Sequence, residues 1–161
     1  MLTQQLLKEY VNYDPTTGIF TWRKKTGKGK IGARVGSKHS CGYLEARIAG
    51  HRCFLHRAAW IYVTGNEPKY IDHINGQRDD NRWDNLREAT NQQNVAHRIN
   101  KNRNNTSGIR GVYFSKKNQK WIANIHFEYK TTYLGSFSTK EEASAARSLA
   151  AKTLFGDFAG A

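Results

Sequence analysis

The sequence predicts an α+β protein of two small modules. Over residues 66–98 a short strand, a polar loop and a return strand lead into a capped helix, while after residue 107 three strand-like runs are closed by one helix. Between them residues 100–106 are almost free of apolar side chains, the composition of a linker. The expected organisation is therefore a first domain over 1–99, a linker over 100–106 and a second domain over 107–161. With 161 residues and 38% hydrophobic content, such modules can bury only small cores.

The elements follow in order. Residues 2–10 have the apolar spacing of a short amphipathic helix, and Asp14-Pro15-Thr16-Thr17-Gly18 is a turn signal before a β-prone run at 19–22. A Gly/Lys loop covers 24–32, a hairpin covers 42–55 with its turn near Gly50, and a helix over 56–64 ends at Gly65. Residues 68–73 form the next strand, Asn75-Gly76 opens a loop, Asn85-Leu86-Arg87 returns, and Thr90 caps a helix bearing Asn94 on its first turns. The last three strands fall at 109–115, 121–127 and 131–137. The run Ser138-Thr139-Lys140-Glu141-Glu142 has capping-box character, and the helix over 143–155 turns Ala143, Ala146, Leu149, Ala150 and Phe155 to the sheet before Gly156 stops it.

Charge narrows the function. The 26 Lys and Arg against 13 Asp and Glu leave a formal net charge of +13, which points to a polyanionic partner. No acid lies between Asp14 and Glu45 or between Glu88 and Glu128, so two long stretches present only positive charge, the second including Arg98, Lys101, Arg103, Arg110, Lys117 and Lys120. Both read as phosphate-contacting surface. Between them Glu67, Asp72, Asp79, Asp80, Asp84 and Glu88 form an acidic island that a polyanion avoids, unless a bound cation reverses its sign or turns and caps use the acids. No apolar run approaches the roughly 18 residues of a membrane span, and the first twelve residues lack signal-peptide blocks, so the expectation is an intracellular, cytoplasmic protein without membrane attachment or a small-molecule substrate. Cys41 and Cys53 are too few for a disulfide framework; His39-Ser40-Cys41 and His51-Arg52-Cys53 are two His-x-Cys steps, short of the usual zinc-knuckle pattern.

Hydrolysing a phosphodiester needs a base for water, a metal at the leaving oxygen and a frame holding both around one phosphate. Asp72, His73 and Asn94 are the side chains of the central segment suited to these parts. Neighbours on a regular strand face opposite ways, so Asp72 and His73 serve one phosphate only if the strand ends there. His56 reads as a packing residue, and Asp79, Asp80 and Asn81 as loop-shaping ones.

The string Asp72-His73-Ile74-Asn75-Gly76, Asp80-Asn81-Arg82, Asn85-Leu86-Arg87, with a following Asn94, resembles the HNH endonucleases of the phage and intron homing type. The resemblance extends over most of the first hundred residues, including His56-Arg57-Ala58-Ala59-Trp60. It implies a ββα-metal module in which His73 is the general base, Asp72 a metal ligand, Asn85 the brace of the hairpin loop and Asn94 the second ligand. Asn94 stands where many members have His, and an amide oxygen suits one Mg²⁺ (or Mn²⁺) ion better than Zn²⁺. Gly108-Ile109-Arg110-Gly111-Val112-Tyr113, Lys120-Trp121-Ile122-Ala123, Leu134-Gly135-Ser136-Phe137 and Glu141-Glu142-Ala143 resemble the AP2 DNA-binding domain, which lays a three-stranded sheet in the major groove. That likeness implies contacts from Arg110, Tyr113, Lys117, Lys120 and Trp121, joined by Arg98, Lys101 and Arg103, while Trp121 reads equally as a core residue. Phe114, Lys116, Asn124 and His126 depart from the arginines of the plant-type domain, so base preference does not carry over. The resulting expectation is a duplex-DNA endonuclease of homing type from a phage or mobile element, a monomer by slight preference, against two alternatives: an inactive DNA-binding regulator and an RNA-binding protein.

Overall fold

The computed structural model describes residues 2–27, 29–97 and 104–159. They form two compact units, 1–89 and 90–161. The division precedes the linker expected at 100–106, of which residues 100–103 lie outside the described residues.

In the first unit Thr3 caps α1 (Gln4–Tyr10) by accepting from the Leu6 amide. The chain turns directly into an antiparallel hairpin of β1 (Val11–Asp14) and β2 (Ile19–Trp22). A second sheet runs β3 (Ser37–Lys38), β4 (Leu44–Ile48), β5 (His51–Phe54), all antiparallel, and α2 (Leu55–Thr64) follows with Gly65 in the left-handed region as its stop. The third sheet is the pair β6 (Ile71–His73) and β7 (Leu86–Glu88), entered from a 3₁₀ turn at Trp83–Asn85. Leu7, Val11, Phe20, Ile48, Leu55 and Ala58 form one buried core, which Ile71 and Leu86 join from the β6/β7 pair. No helix among the described residues is long and apolar enough to cross a membrane.

The β1/β2 hairpin buttresses the loop between β6 and β7. The Tyr13 hydroxyl donates to the Asn81 carbonyl at 2.8 Å and the Trp83 amide donates to the Pro15 carbonyl at 2.9 Å. Gly18, at φ +70°, approaches so closely that a Cβ there would sit 2.5 Å from the Arg82 nitrogen. The turn at residues 14–18 thus fixes the backbone that presents Asn81.

The second unit begins with α3 (Asn91–Ala96), whose Thr90 and Gln93 form a reciprocal capping box. The antiparallel sheet β10-β9-β8 follows, with β8 (Val112–Ser115), β9 (Lys120–Phe127) and β10 (Lys130–Phe137), then α4 (Lys140–Phe155), whose capping box within residues 138–142 is the pair Thr139 and Glu142. One side-chain assignment on α4 is corrected. Its buried stripe is Ala143, Arg147 and Ala151, spaced i, i+4, i+8, and Leu149 is 70% exposed. Leu149 sits about 240° round the helix from Ala143, so hydrophobicity at that position does not override the helical period.

Candidate active site

Strand β6 ends at His73, where the Gly76 amide donates to the His73 carbonyl at 2.8 Å. Asp72 lies opposite Arg87 in the pair and His73 opposite Leu86. Asn85 braces the connecting loop: its Oδ1 accepts from the Asn75 amide at 2.9 Å and its Nδ2 donates to the Asp80 carbonyl at 2.8 Å. Asn85→Ala removes these two half-buried hydrogen bonds, so it is expected to cost about 1–3 kcal/mol in a urea titration. A variant as stable as the parent would show that the brace is dispensable.

His73 is only 4% exposed. Its Nε2 lies 3.4 Å from Asn81 Oδ1, and Asn81 is itself 1% exposed. Tyr43 and His56 pack against the imidazole, with ring centroids at 5.8 and 5.2 Å. Arg78 stands over the other neighbour, 5.1 Å from the Tyr43 ring, and donates to the Cys41 carbonyl at 2.8 Å. Burial lowers the His73 pKa, outweighing the opposing pull of Asn81, Asp72 and Asp80. The ring is therefore neutral at pH 7 and able to accept a proton. Burial, with help from His73 and Arg57, pushes His56 down to about 3.

These two histidines set a sign for stability. Their folded pKa values lie below the ordinary 6.5, so the unfolded chain binds more protons as the pH falls beneath it. Stability is complete above about pH 6.5 and falls below it, by about 1.4 kcal/mol per pH unit for each histidine while its folded form stays neutral. Urea titrations at about pH 7 and about pH 4.5 test this above the main carboxylate range. Replacing His56 by Phe is expected to shrink the pH dependence; an unchanged slope would contradict its assignment.

The acidic island is largely paired within the fold. Asp72 takes Nε and Nη2 of Arg87 at 2.8 Å, Asp79 takes Lys38 at 2.8 Å, and Asp80 takes Arg82 at 2.7 and 2.9 Å. The Arg82 hydrogen bonds, joined by Asn75, hold Asp80 down to about 2. The Asp72–Arg87 pair is the most enclosed, with side chains 9% and 18% exposed. Both guanidinium nitrogens meet the same oxygen, Oδ2. Carboxylate oxygens carry several lone pairs, so this pairing and a hard divalent cation are compatible in donor capacity. Among the described residues no three His, Cys, Asp or Glu side chains form a metal-binding group. A single enclosed carboxylate is not a protein cage, so a hard divalent cation held here would take most of its oxygen ligands from other groups. The two His-x-Cys steps likewise make no cluster; His39 Nδ1 instead lies 2.8 Å from its own neighbour, Cys41 Sγ.

Asn94 lies on α3 and is half-buried within the second unit. In the same unit Tyr113, Lys117 and Lys120 are exposed on or beside β8 and β9, and Trp121 is half-buried with its ring 5.3 Å from Phe114. Arg110 donates to the Val95 and Ala96 carbonyls at 2.6 and 3.2 Å, which ties it to the end of α3. Arg98, Lys101 and Arg103 lie outside the described residues. Sequence reasoning missed the aromatic wall of Tyr43, the contact of Asn81 with His73 and the pairing of Arg87. The only local signal was the Asp80-Asn81-Arg82 string, read as loop chemistry.

The chain matches no solved structure. It is 35% identical over 77 residues to protein 3.8 of Escherichia phage T7, an alignment covering 47% of this chain and 63% of that protein. Residues 53–96, which run from β5 through the His73 hairpin to α3, match the model of the HNH endonuclease family.

Proposed function

We propose that the protein is a metal-dependent DNA endonuclease, of the homing type carried by phages or mobile elements, in which the HNH segment cuts and an AP2-like second domain anchors the chain on duplex DNA. The observation that carries the reading is the neutral, buried His73 at the end of β6, beside Asn81 and next in sequence to the carboxylate of Asp72.

In this mechanism His73 removes a proton from water as the oxygen approaches phosphorus in line. Asn81, whose Oδ1 faces Nε2, limits rotation of the imidazole, and Asn85 keeps the loop that carries Asn81 in register. A Mg²⁺ or Mn²⁺ ion held by Asp72 would neutralise charge on the leaving 3′ oxygen. Asn94 takes the second ligand position on the sequence pattern alone. The products are 5′-phosphate and 3′-hydroxyl ends. Tyr113, Lys117, Lys120 and Trp121 form the proposed groove-facing set of the second domain, and tethering by that domain raises the concentration of the cutting module at its target.

Conversion of supercoiled plasmid and phage genomic DNA to nicked and linear forms, with Mg²⁺ and with EDTA, tests the reading. Cutting that EDTA abolishes supports it. Binding without cutting on every substrate favours a second reading, a regulator with an inactive nuclease fold, which draws on the neutralisation of Asp72 by Arg87.

A further inference from the structure

The second unit contains a cavity of about 360 Å³ between α3, the β9–β10 turn and α4. Arg147 lines it and is 7% exposed, yet its Nε has no hydrogen-bond partner among the described residues. Asn124 also lines it, and its buried Oδ1 has no donor among the described residues. The rest of the wall is mainly apolar, with Val95, Ile125, Phe127 and Phe155 prominent. Gly111 admits this geometry: at φ +74° a Cβ there would lie 2.2 Å from the Asn124 carbonyl oxygen.

Leaving the buried Nε of a guanidinium without an acceptor among the described residues is unfavourable, and a nearby second cation, Arg110, makes it more so. The lining's one carboxylate, Glu128, is exposed and makes no ion pair with Arg147. The cavity thus presents a charge that calls for an anion, an acceptor that calls for an N–H, and flat apolar walls. We propose that it is a binding site for a single nucleotide unit, with the phosphate on Arg147, an amino-bearing base offering its N–H to Asn124 Oδ1, and the base plane against Phe127 and Phe155. The volume is in the range of small-molecule sites, and aromatic walls accept any base face. A free nucleotide and the 5′-phosphorylated end of a DNA strand share this chemistry.

Calorimetry and thermal shift on the full chain in EDTA test the site, since without divalent metal the hairpin contributes no metal-bridged binding. dAMP is expected to bind and to raise Tm, with deoxyadenosine, inorganic phosphate and dTMP each at least about tenfold weaker, the loss of roughly one good polar contact. Arg147→Met is expected to lose dAMP binding while the unliganded variant melts no lower than the parent. Arg147→Lys, which keeps the charge, is expected to bind more weakly than the parent and more tightly than the Met variant. Asn124→Ala is expected to remove the preference for dAMP over dTMP, and His73→Ala to bind dAMP like the parent. A phosphorylated dinucleotide binding as well as dAMP assigns the site to strand ends; its failure beside dAMP binding assigns it to free nucleotides. Absence of dAMP binding, phosphate binding as tight as dAMP, or parental binding by Arg147→Met would overturn the proposal.

Discussion

His73→Ala is expected to lower the rate of DNA cleavage by about 10²–10⁴-fold, the usual contribution of a positioned general base, and to leave DNA affinity unchanged. The expectation rests on three features of the side chain: burial keeps it neutral at pH 7, Asn81 faces one ring nitrogen, and the strand ends at its carbonyl, freeing the next residues to turn away. A buried imidazole is also part of the packing with Tyr43 and His56, so the Ala variant leaves space and melts lower. Cleavage and binding are therefore compared below the variant's melting range, with binding measured in EDTA. Added imidazole distinguishes chemistry from packing, because a base that enters the vacated space restores rate without restoring Tm by the same means. Parental cleavage by the variant would remove His73 from the base position, and joint loss of binding and cleavage without rescue would make it a structural residue.

The local signals that place His73 were legible in sequence. Asn75-Gly76 announces a turn and so the end of β6, Thr90 announces α3, and the run from Ser138 to Glu142 announces α4. Such signals act over three or four residues and depend little on the remainder of the chain. The partners of the site residues were not legible. Asn81 meets His73 only because Tyr13 and Gly18, more than 60 residues earlier, fix the backbone of the loop, and no local pattern encodes that approach. Leu149 and Arg147 show the same limit on α4: composition favours the leucine for the core, whereas the helical period sets the arginine inward. The acidic island shows it in electrostatics. Sequence spacing left open whether a cation or the fold itself would neutralise Asp72, Asp79 and Asp80, and each has an intramolecular cation, drawn from as far away as Lys38.

Asp72→Ala is expected to cost about 3–5 kcal/mol of stability, because Arg87 then remains in an enclosed site with its carboxylate partner gone. On its own that variant cannot separate a ligand from a salt-bridge partner, since an unfolded protein also fails to cut. The pair resolves this. Replacing both residues, as Asp72→Leu with Arg87→Met, removes charge and counter-charge together, and apolar replacements of buried ion pairs are commonly neutral or stabilising. The double variant is therefore expected to recover most of the melting temperature lost by Asp72→Ala and to remain unable to cut. If it regains cleavage along with stability, Asp72 serves the fold alone and carries no metal. A third variant, Arg87→Met with Asp72 intact, turns the same logic round: it leaves a carboxylate without its fixed cation, so Mg²⁺ is expected to raise its Tm more than that of the parent. A Mg²⁺-dependent shift that appears in Arg87→Met and disappears in the double variant would place the ion on Asp72 by a measurement independent of cleavage.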